Sequence, residues 1–375
     1  MRICIFSTSI DKRDGGPSRS VPLLAKGLAE LDLSVTLLTC RSDEMNTHIL
    51  ENSNVRLEFI SKNISYKDLE NFLKSRNFDL IHCQNLWNPL YHKFAKIAQK
   101  RNIPYLMTPR GCLEPWSLKQ KRLKKKLALL LYQKKDLQKA SCILATSEME
   151  ARNLRALQIK TPIAVIPNGI DVSDYVCRTD KSIIKNQICF ISRIHPKKGL
   201  EFLIEAWEKI HANFPNWKIV IAGNGADEYI YTLNQSISNK NLSDSIAITP
   251  PVFGEKKYNL YSQSAIFILP TFSENFGMVI AEAMSCGIPV ITTSGTPWSQ
   301  LNDLGLGWCV DLSVDNIAQA LSSAMNNGID SLYEIGMRCS QYIADNYQYT
   351  SVSDRLLKVY EWIIDRSNQP EYVYI

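Results

Sequence analysis

Two glutamates, Glu274 and Glu282, follow the apolar run 265–269 and stand eight positions apart. The run predicts a buried strand that ends at Pro270, and a helix of small and apolar residues follows a polar turn and ends at Gly287. Glu274 is therefore expected in the loop, and Glu282 about two turns into the helix. Open α/β sheets bind anionic ligands at this edge, so one carboxylate could hold each end of an elongated substrate.

A second strand-like run, 188–192, is followed by a basic turn that begins at Arg193 and ends at Lys198. Two cations at a helix N-terminus favour binding of a pyrophosphate. A solvated basic loop would look the same in isolation, but the position at a strand's carboxyl end favours the binding site. Gly223 and Gly225 follow a later strand and would let the backbone approach a flat ring or a phosphate, although Gly-x-Gly alone is common in tight turns.

The neighbours of Glu282 (280–281 and 283–284) are apolar, which predicts a carboxylate near a buried face that needs a partner. A ribose diol is such a partner, because a carboxylate can accept from two hydroxyl groups. Glu274 could likewise hold sugar hydroxyls, although both residues could also be ordinary charges facing solvent. The backbone amides expected to face the phosphate are those of Asn275, Phe276 and Gly277.

Strand-like and helix-like runs alternate almost from end to end, which is typical of an α/β fold with doubly wound parallel sheets. The predicted strands are 2–6, 34–39, 55–60, 80–84, 104–108, 143–146, 163–166, 188–192, 218–222, 246–249, 266–269, 289–293 and 308–311. The predicted helices are 18–31, 66–75, 89–100, 119–139, 148–157, 199–213, 227–239, 276–286, 314–326, 331–346 and 351–366.

A length of 375 residues favours two domains. We predict an N-terminal Rossmann-like domain for the acceptor (1–170), a polar linker (171–187) and a second Rossmann-like domain for the nucleotide (188–350). A terminal helix and tail (351–375) are predicted to cross back to the first domain. Two such domains facing each other would form a central cleft, a natural ligand site.

Several of these motifs together resemble the family 4 retaining glycosyltransferases of GT-B fold. They are the turn with Arg193 and Lys198, the Glu-x7-Glu block at 274–282 with its flanking residues, and Val-Ile-Pro-Asn-Gly-Ile-Asp at 165–171. The resemblance covers nearly the whole chain. It implies that Arg193 and Lys198 hold the donor's pyrophosphate. It also implies that Glu282 binds ribose and that Glu274 binds the transferred sugar.

The resemblance extends to the N-terminal half. Gly15 and Gly16 match the family's Gly-Gly after the first strand, where the backbone comes close to the donor phosphate and the acceptor. Where many members carry His-Gly, this chain has Pro109-Arg110-Gly111, and Arg110 is expected to stabilise phosphate charge because it cannot act as a base. With Leu-Glu-Pro-Trp at 113–116, this resembles transferases of bacterial surface polysaccharide assembly. His82 is a second candidate contact, although a hydrogen-bonded histidine at a strand end is the favoured interpretation.

The stretch 119–139 carries nine basic residues and one acid, with leucines at helical spacing. A basic amphipathic helix favours contact with anionic lipid headgroups and would suit an acceptor on a lipid pyrophosphate. A helix whose leucines pack into the core would show the same pattern. Nucleic acid is not expected as a partner, because no aromatic stacking platform accompanies the charges.

The ten cysteines form no Cys-x-x-Cys pair, and several lie in apolar runs, so free thiols in a reducing compartment are expected. The N-terminus enters a strand too early for a signal peptide, and no apolar run would span a bilayer. These features predict a cytoplasmic protein, with peripheral association at the inner membrane face. No acidic cluster suggests a metal site, so neither a metal nor another cofactor is expected.

The predicted reaction is transfer of a sugar from a UDP- or GDP-linked donor to a glycan or lipid-linked glycan, with retention of configuration. It would serve bacterial O-antigen, capsule or exopolysaccharide synthesis. The base would be contacted by backbone near 223–225 and 251–253, which encodes little about its identity. Two alternatives remain: a nucleotide-sugar epimerase of similar fold, and a non-catalytic nucleotide-sugar sensor. A dehydrogenase is disfavoured, because the first βα turn lacks Gly-x-Gly-x-x-Gly.

Overall fold

The chain, in a computed structural model that describes residues 1–175, 177–365 and 368–375, divides into two compact units. The first contains Met1–Ile170 and Tyr347–Ile375, and the second contains Asp171–Asn346. The segment predicted as a linker, 171–187, therefore belongs to the second unit. Arg178 ties it there, because its side chain is 1% exposed and its Nη1 donates to the carbonyl of Ser264 at 2.6 Å.

Fourteen strands were found among the described residues. In chain order they are β1 (Arg2–Phe6), β2 (Ser34–Thr39), β3 (Arg56–Phe59), β4 (Leu80–Cys83), β5 (Tyr105–Met107), β6 (Cys142–Ala145), β7 (Ile163–Val165), β8 (Lys185–Ile191), β9 (Lys218–Ala222), β10 (Ile246–Thr249), β11 (Ser264–Leu269), β12 (Val290–Thr293), β13 (Gly307–Val310) and β14 (Val373–Tyr374). Each predicted strand overlaps one of these, and only the short β14 was not predicted.

The α-helices lie between the strands on most of the path. They are α1 (Pro17–Ala29), α2 (Tyr66–Arg76), α3 (Pro89–Arg101), α4 (Pro115–Lys119), α5 (Arg122–Ala128), α6 (Lys134–Gln138), α7 (Glu148–Ala156), α8 (Leu200–Ile210), α9 (Asp227–Asn239), α10 (Gly254–Gln263), α11 (Met278–Ser285), α12 (Gln300–Asp303), α13 (Val314–Asn326), α14 (Gly328–Tyr347) and α15 (Tyr349–Asp365). Serine caps that the sequence displays begin several of them: Ser65 accepts from the backbone of Asp68, and Ser147 from that of Glu150.

The first unit is built on one sheet of order β14-β7-β6-β5-β4-β1-β2-β3, in which only β14 runs antiparallel. Alternate residues of β1 point to different apolar clusters: Cys4 and Phe6 belong to one, and Ile3 and Ile5 to the other. Because both faces are covered, the strands lack polar alternation, as the sequence indicated.

The terminal helix α15 belongs to the first unit and packs against α1. Leu356, Val359 and Tyr360 lie in the same apolar cluster as Val21. A Cβ at Gly27 would stand 2.2 Å from Oγ of Ser353, so glycine allows the close approach of the two helices. The first unit thus includes the chain from Tyr347 to Ile375.

The second unit has a six-stranded parallel sheet of order β10-β9-β8-β11-β12-β13. Strand β11 is buried along its whole length, as its unbroken apolar run predicted. Helix α10 was not predicted, because its sequence, GEKKYNLYSQ, has no clear apolar stripe. The observed architecture therefore consists of two Rossmann-like α/β units.

The helix predicted over 119–139 is observed over 122–138 as α5, a π-helical turn and α6 in one continuous run, so it begins three residues later than predicted. Helix α4 ends at Lys119, and Lys121 adopts a left-handed backbone with φ of 50°, which interrupts the helix before α5. A π-helical turn, Leu129–Gln133, then joins α5 to α6. The ten cysteines are free thiols, as the sequence predicted.

Candidate functional site

The second unit has a topological switch point between β8 and β11. From β8 the chain adds β9 and β10 on one side, and β11 begins the other side. The loops that leave the carboxyl ends of β8 and β11 therefore diverge from a common point, where open α/β sheets bind their ligands. Arg193 and Lys198 lie in the first loop and Glu274 in the second.

The turn after β8 is shaped by its own polar groups. Nδ1 of His195 accepts from the backbone N–H of Lys197 at 3.0 Å and caps the short 3₁₀ helix Pro196–Lys198. Gly199 follows with φ of 64°, and a Cβ there would stand 2.0 Å from the carbonyl oxygen of Pro270. Only glycine fits this contact, which holds the basic turn against the start of the β11 loop.

Lys198 and Glu274 form an ion pair in which Nζ of Lys198 donates to Oε1 of Glu274. The two side chains are 10% and 17% exposed. Burial acts to raise the pKa of Glu274, but the charges of Lys198 and Lys197 outweigh it and lower that pKa below its ordinary value. The carboxylate is therefore ionised at neutral pH beside a nearly buried ammonium group.

Further cations surround this pair. Arg193 is exposed, and burial together with the charges of Arg193, Lys197 and Lys198 lowers the pKa of His195. His195 is therefore neutral at neutral pH, while the others are positive. The turn after β8 is thus a positively charged surface that could bind a diphosphate.

The loop after β11 leads into the N-terminus of α11. Gly277 has φ of 82° and begins the helix. Its neighbour Phe276 is buried, packs against Trp298 at a ring distance of 5.4 Å, and accepts from the indole N–H at 2.6 Å. Asn275 lies in the same loop. A helix N-terminus leaves its first amide groups without carbonyl partners in the helix, so this end of α11 can receive an anion.

Glu282 lies in α11 and is only 2% exposed. Oε1 accepts from the hydroxyl of Tyr175 at 2.9 Å. Oε2 accepts from Nζ of Lys257 and, at 3.4 Å, from the hydroxyl of Tyr261. The sequence correctly indicated a buried carboxylate that needs a partner, but the partners within the protein were not identified. The sequence signal for two of these partners is the spacing of Lys257 and Tyr261, which lie four positions apart and so share one face of α10.

Gly223 and Gly225 are explained by packing within the protein. A Cβ at Gly223 would lie 1.9 Å from the carbonyl oxygen of Ser192, and one at Gly225 would lie 2.1 Å from that of Ile194. The backbone that approaches these glycines is therefore the turn after β8. They hold that turn in place, and nothing in their geometry requires a ligand.

The first unit has its own switch point, between β1 and β4. Gly15 and Gly16 lie between β1 and α1, and Gly15 has φ of 75° with open space where a Cβ would be. His82 lies in β4, and Arg110 follows β5. The predicted residues of this half therefore all lie in or after β1, β4 and the neighbouring β5.

His82 is completely buried and hydrogen-bonded at both ring nitrogens. Nδ1 lies 2.7 Å from the hydroxyl of Tyr360, and Nε2 lies 2.7 Å from Oγ1 of Thr108. Burial and the charge of Arg110 lower the pKa of His82 to about 3, so the ring is neutral. This geometry supports the interpretation of a structural histidine that links β4 to α15.

Arg110 is held by neutral acceptors. Nε and Nη2 donate to Oε1 of Gln84 at 2.9 and 2.7 Å, and Nη1 donates to Ser20 and Asn168 at 3.0 Å each. Burial lowers the pKa of Arg110 to about 10, with the charge of Glu150 opposing that shift. The guanidinium therefore stays positive at neutral pH, and no carboxylate is among these four contacts.

The described residues contain no group of three or more His, Cys, Asp or Glu side chains that could hold a metal ion.

Two family models match the chain, one in each unit. Residues 180–344 match the model described as glycosyl transferases group 1, and residues 14–174 match the model described as glycosyltransferase family 4. The two matches include Gly15, Arg110 and both glutamates of the Glu-x7-Glu block.

The curated relatives share about a quarter of their residues with the chain over the matched parts. The chain is 26% identical over 243 residues to the phosphatidylinositol N-acetylglucosaminyltransferase gpi3 subunit of Schizosaccharomyces pombe, with 64% of this chain and 52% of the relative covered. It is 25% identical over 224 residues to the GDP-mannose:cellobiosyl-diphosphopolyprenol alpha-mannosyltransferase of Xanthomonas campestris, with 58% and 57% covered. The chain spans about half the length of the curated relatives it matches.

Solved structures share the fold over nearly the entire chain. A sucrose-phosphate synthase from Thermosynechococcus elongatus has a TM-score of 0.78 at 17% identity, covering 98% of this chain and all of that one. The Anabaena protein HepE in complex with UDP and glucose has a TM-score of 0.75 at 17% identity, with 96% and 99% covered. These likenesses confirm the predicted fold class of two parallel-sheet α/β domains.

Proposed function

The chain belongs to the family 4 glycosyltransferases of GT-B fold, and we propose that it moves a sugar from a nucleotide-sugar to a hydroxyl group of a glycan, with retention of the anomeric configuration. The observation that carries this proposal is the pair Lys198 and Glu274 at the switch point of the second unit. The pair places an ammonium group and an ionised carboxylate where a sugar diphosphate would need a cation and a hydroxyl acceptor.

The leaving group is the nucleoside diphosphate. In the proposed arrangement Arg193, Lys198 and the N-terminal amides of α11 stabilise its developing charge. Glu274 accepts from hydroxyls of the transferred sugar, while Glu282 accepts from the ribose. Neither glutamate carries a proton or attacks the sugar.

The acceptor hydroxyl is proposed to attack from the face that the diphosphate leaves. A phosphate oxygen of the donor then takes the hydroxyl proton, so the new glycosidic bond forms as the old C–O bond breaks. This route uses no general base from the protein. It also needs no divalent metal in this proposal, since lysine and arginine supply the positive charge. A chelator should therefore leave turnover unchanged, and loss of activity that added Mg²⁺ or Mn²⁺ restores would contradict this point.

Relatives support a nucleotide-sugar donor but differ in its base. The Xanthomonas relative is named for GDP-mannose, and the Anabaena structure contains UDP. For this chain the donor is therefore proposed as UDP- or GDP-linked. The backbone near 223–225 and 251–253 is the proposed contact for the base.

The acceptor is proposed to be a lipid-linked glycan of bacterial surface polysaccharide synthesis. The name of the Xanthomonas relative includes a glycan on a diphosphopolyprenol, which is an acceptor of this kind. In the first unit, Arg110 carries a positive charge and its hydrogen-bond acceptors Gln84, Ser20 and Asn168 are neutral, which would suit a phosphate group of the acceptor or donor.

Contact with an anionic membrane surface is proposed for the lysine–leucine surface, defined as residues 119–131. Its leucines Leu123, Leu127, Leu130 and Leu131 are 58–82% exposed, so the core-packed alternative for these four is wrong. They recur at helical spacing beside exposed cations such as Lys124 and Lys126. Apolar side chains between cations are typical of helices that lie at the membrane interface. No described helix has the length and apolarity to cross a bilayer.

A thermal-shift screen against UDP, GDP and their sugars tests the donor proposal, because a ligand that binds only the folded state raises the melting temperature. The stabilising donor is then incubated with a lipid-linked acceptor, and the product is analysed by mass spectrometry and NMR. Transfer with retained configuration supports the proposal. Isomerised donor without an acceptor would instead indicate an epimerase, and binding without any turnover of the donor would indicate a sensor.

A further inference from the structure

We propose that Lys257 and Tyr175 occupy the ribose-binding oxygens of Glu282 in the free protein and must leave them when a nucleotide binds. Lys257 is then a positioning residue that opposes ribonucleotide binding and sets its affinity. The inference rests on the proposed function, in which Glu282 receives the ribose. It goes further in naming a competitor within the chain and the direction of its effect.

Three side chains donate hydrogen bonds to the carboxylate of Glu282. Tyr175 donates to Oε1 at 2.9 Å, and Lys257 donates to Oε2, where Tyr261 also lies within 3.4 Å. Glu282 is 2% exposed, so little solvent reaches its oxygens. A carboxylate offers about four lone-pair positions, and a ribose diol would need two of them, so it must take positions that these donors now occupy.

The three donors differ in their freedom to move. Tyr261 is completely buried and packs against Phe267 at a ring distance of 5.9 Å, so it stays in place. Lys257 is only partly buried and has a flexible stem, and Tyr175 is partly exposed in the segment before β8. The ring of Tyr261 lies 5.7 Å from Nζ of Lys257 and offers that ammonium a nearby alternative contact.

The competition predicts that removing the Lys257 ammonium group increases the affinity for a ribonucleotide. Without Lys257, the buried carboxylate of the free protein lacks its counter-charge, and a ribose diol that donates to it relieves this cost. Lys257→Met should therefore tighten ribonucleotide binding. If Lys257 instead helped to hold the nucleotide, the same substitution would weaken binding.

The experiment is isothermal titration of wild type, Lys257→Met and Lys256→Met at pH 8 with UDP, GDP and their 2′-deoxy counterparts. Lys256 is exposed on the same helix and provides a matched change of charge. Lys257→Met should bind the ribonucleotide on the order of tenfold more tightly than wild type. The gain in affinity should be smaller for the deoxynucleotide, because it offers one hydroxyl fewer. Lys256→Met should bind both nucleotides with the affinity of wild type.

Two further variants keep the test decisive. In a Glu282→Gln background the competition has no carboxylate to act on, so adding Lys257→Met should leave the affinity unchanged. Tyr175→Phe removes one donor with little loss of packing and should tighten ribonucleotide binding in the same direction, even if Lys257→Met folds poorly. Circular dichroism checks the fold of each variant.

The outcomes separate the two proposals. Weaker or unchanged ribonucleotide binding by folded Lys257→Met and Tyr175→Phe would overturn the competition while leaving the donor site intact. Equal gains for ribo- and deoxynucleotides would also overturn it, since they would show an effect of charge alone. Failure of wild type to bind any nucleoside diphosphate would overturn the proposed function and, with it, the competition.

Discussion

Lys198 and Glu274 are joined in a largely buried ion pair, although 76 positions separate them in the chain. The pair connects the loops that leave β8 and β11 on either side of the switch point. A donor that binds both residues must insert its diphosphate and sugar beside a contact that already exists. The pair therefore holds the two loops in register before the donor arrives.

Replacing Lys198 by Met should lower kcat/KM by about a hundredfold, since removing one charged donor to a developing anion costs this much in comparable sites. Steady-state kinetics with the identified donor measures this. Glu274→Gln should also lose most turnover, because it weakens the hydrogen bonds to the hydroxyls of the transferred sugar. It should therefore bind the bare diphosphate almost as well as wild type, whereas Lys198→Met should not. Near-full activity in either variant would contradict the assigned roles.

His82 predicts a pH dependence of stability. Its folded pKa of about 3 lies below the ordinary value of 6.5, so the unfolded chain takes up a proton first as the pH falls. The stability that the neutral ring contributes is complete above pH 6.5 and declines by about 1.4 kcal/mol per pH unit below it, towards the folded pKa. His82→Gln cannot titrate, so its free energy of unfolding should fall less steeply between pH 6.5 and 4.5. Urea denaturation at several pH values compares the two slopes. Identical slopes would show that the ring is not held neutral.

Gln84 offers a test of the charge on Arg110. Gln84→Glu would place a carboxylate where Oε1 now accepts two hydrogen bonds from the guanidinium, and would neutralise it. If that charge serves a phosphate, turnover of the folded variant should fall roughly tenfold. Gln84→Met is the matched control for loss of the hydrogen bonds without a new charge. Unchanged kcat/KM in Gln84→Glu would exclude Arg110 from the anion site.

The lysine–leucine surface predicts membrane binding with two separable components. Lys124→Glu/Lys126→Glu should abolish flotation with anionic liposomes at low salt, since each cation near such a surface contributes about 1 kcal/mol. Leu127→Ser/Leu130→Ser should leave binding at low salt but make it more sensitive to high salt, because the apolar contribution is not screened.

Lys125 is unsuitable for this test. Its Nζ donates to Ser117, so its loss would disturb the fold locally. Lys67→Glu/Lys74→Glu on α2 makes the same change of charge at exposed positions elsewhere in the first unit and should bind liposomes like wild type. Wild-type flotation by both surface variants would contradict the proposed membrane contact.

The sequence by itself determined the α/β class, nearly every strand and the family. Unbroken apolar runs such as 265–269 identify strands covered on both faces, and the Glu-x7-Glu block with its basic turn indicates the family. Local patterns were sufficient, since these features depend on neighbours in the chain.

Only the tertiary structure decided which groups meet. Lys257 and Tyr175 reach Glu282 from separate segments, and Tyr360 reaches His82 across 278 positions. The leucine pattern of 119–139 could not distinguish a buried face from an exposed one, because periodicity gives the face but not what covers it. The same holds for Gly223 and Gly225, whose close contacts are with the protein's own backbone. Contacts between distant segments depend on how the sheets order their strands, and no local pattern encodes that order.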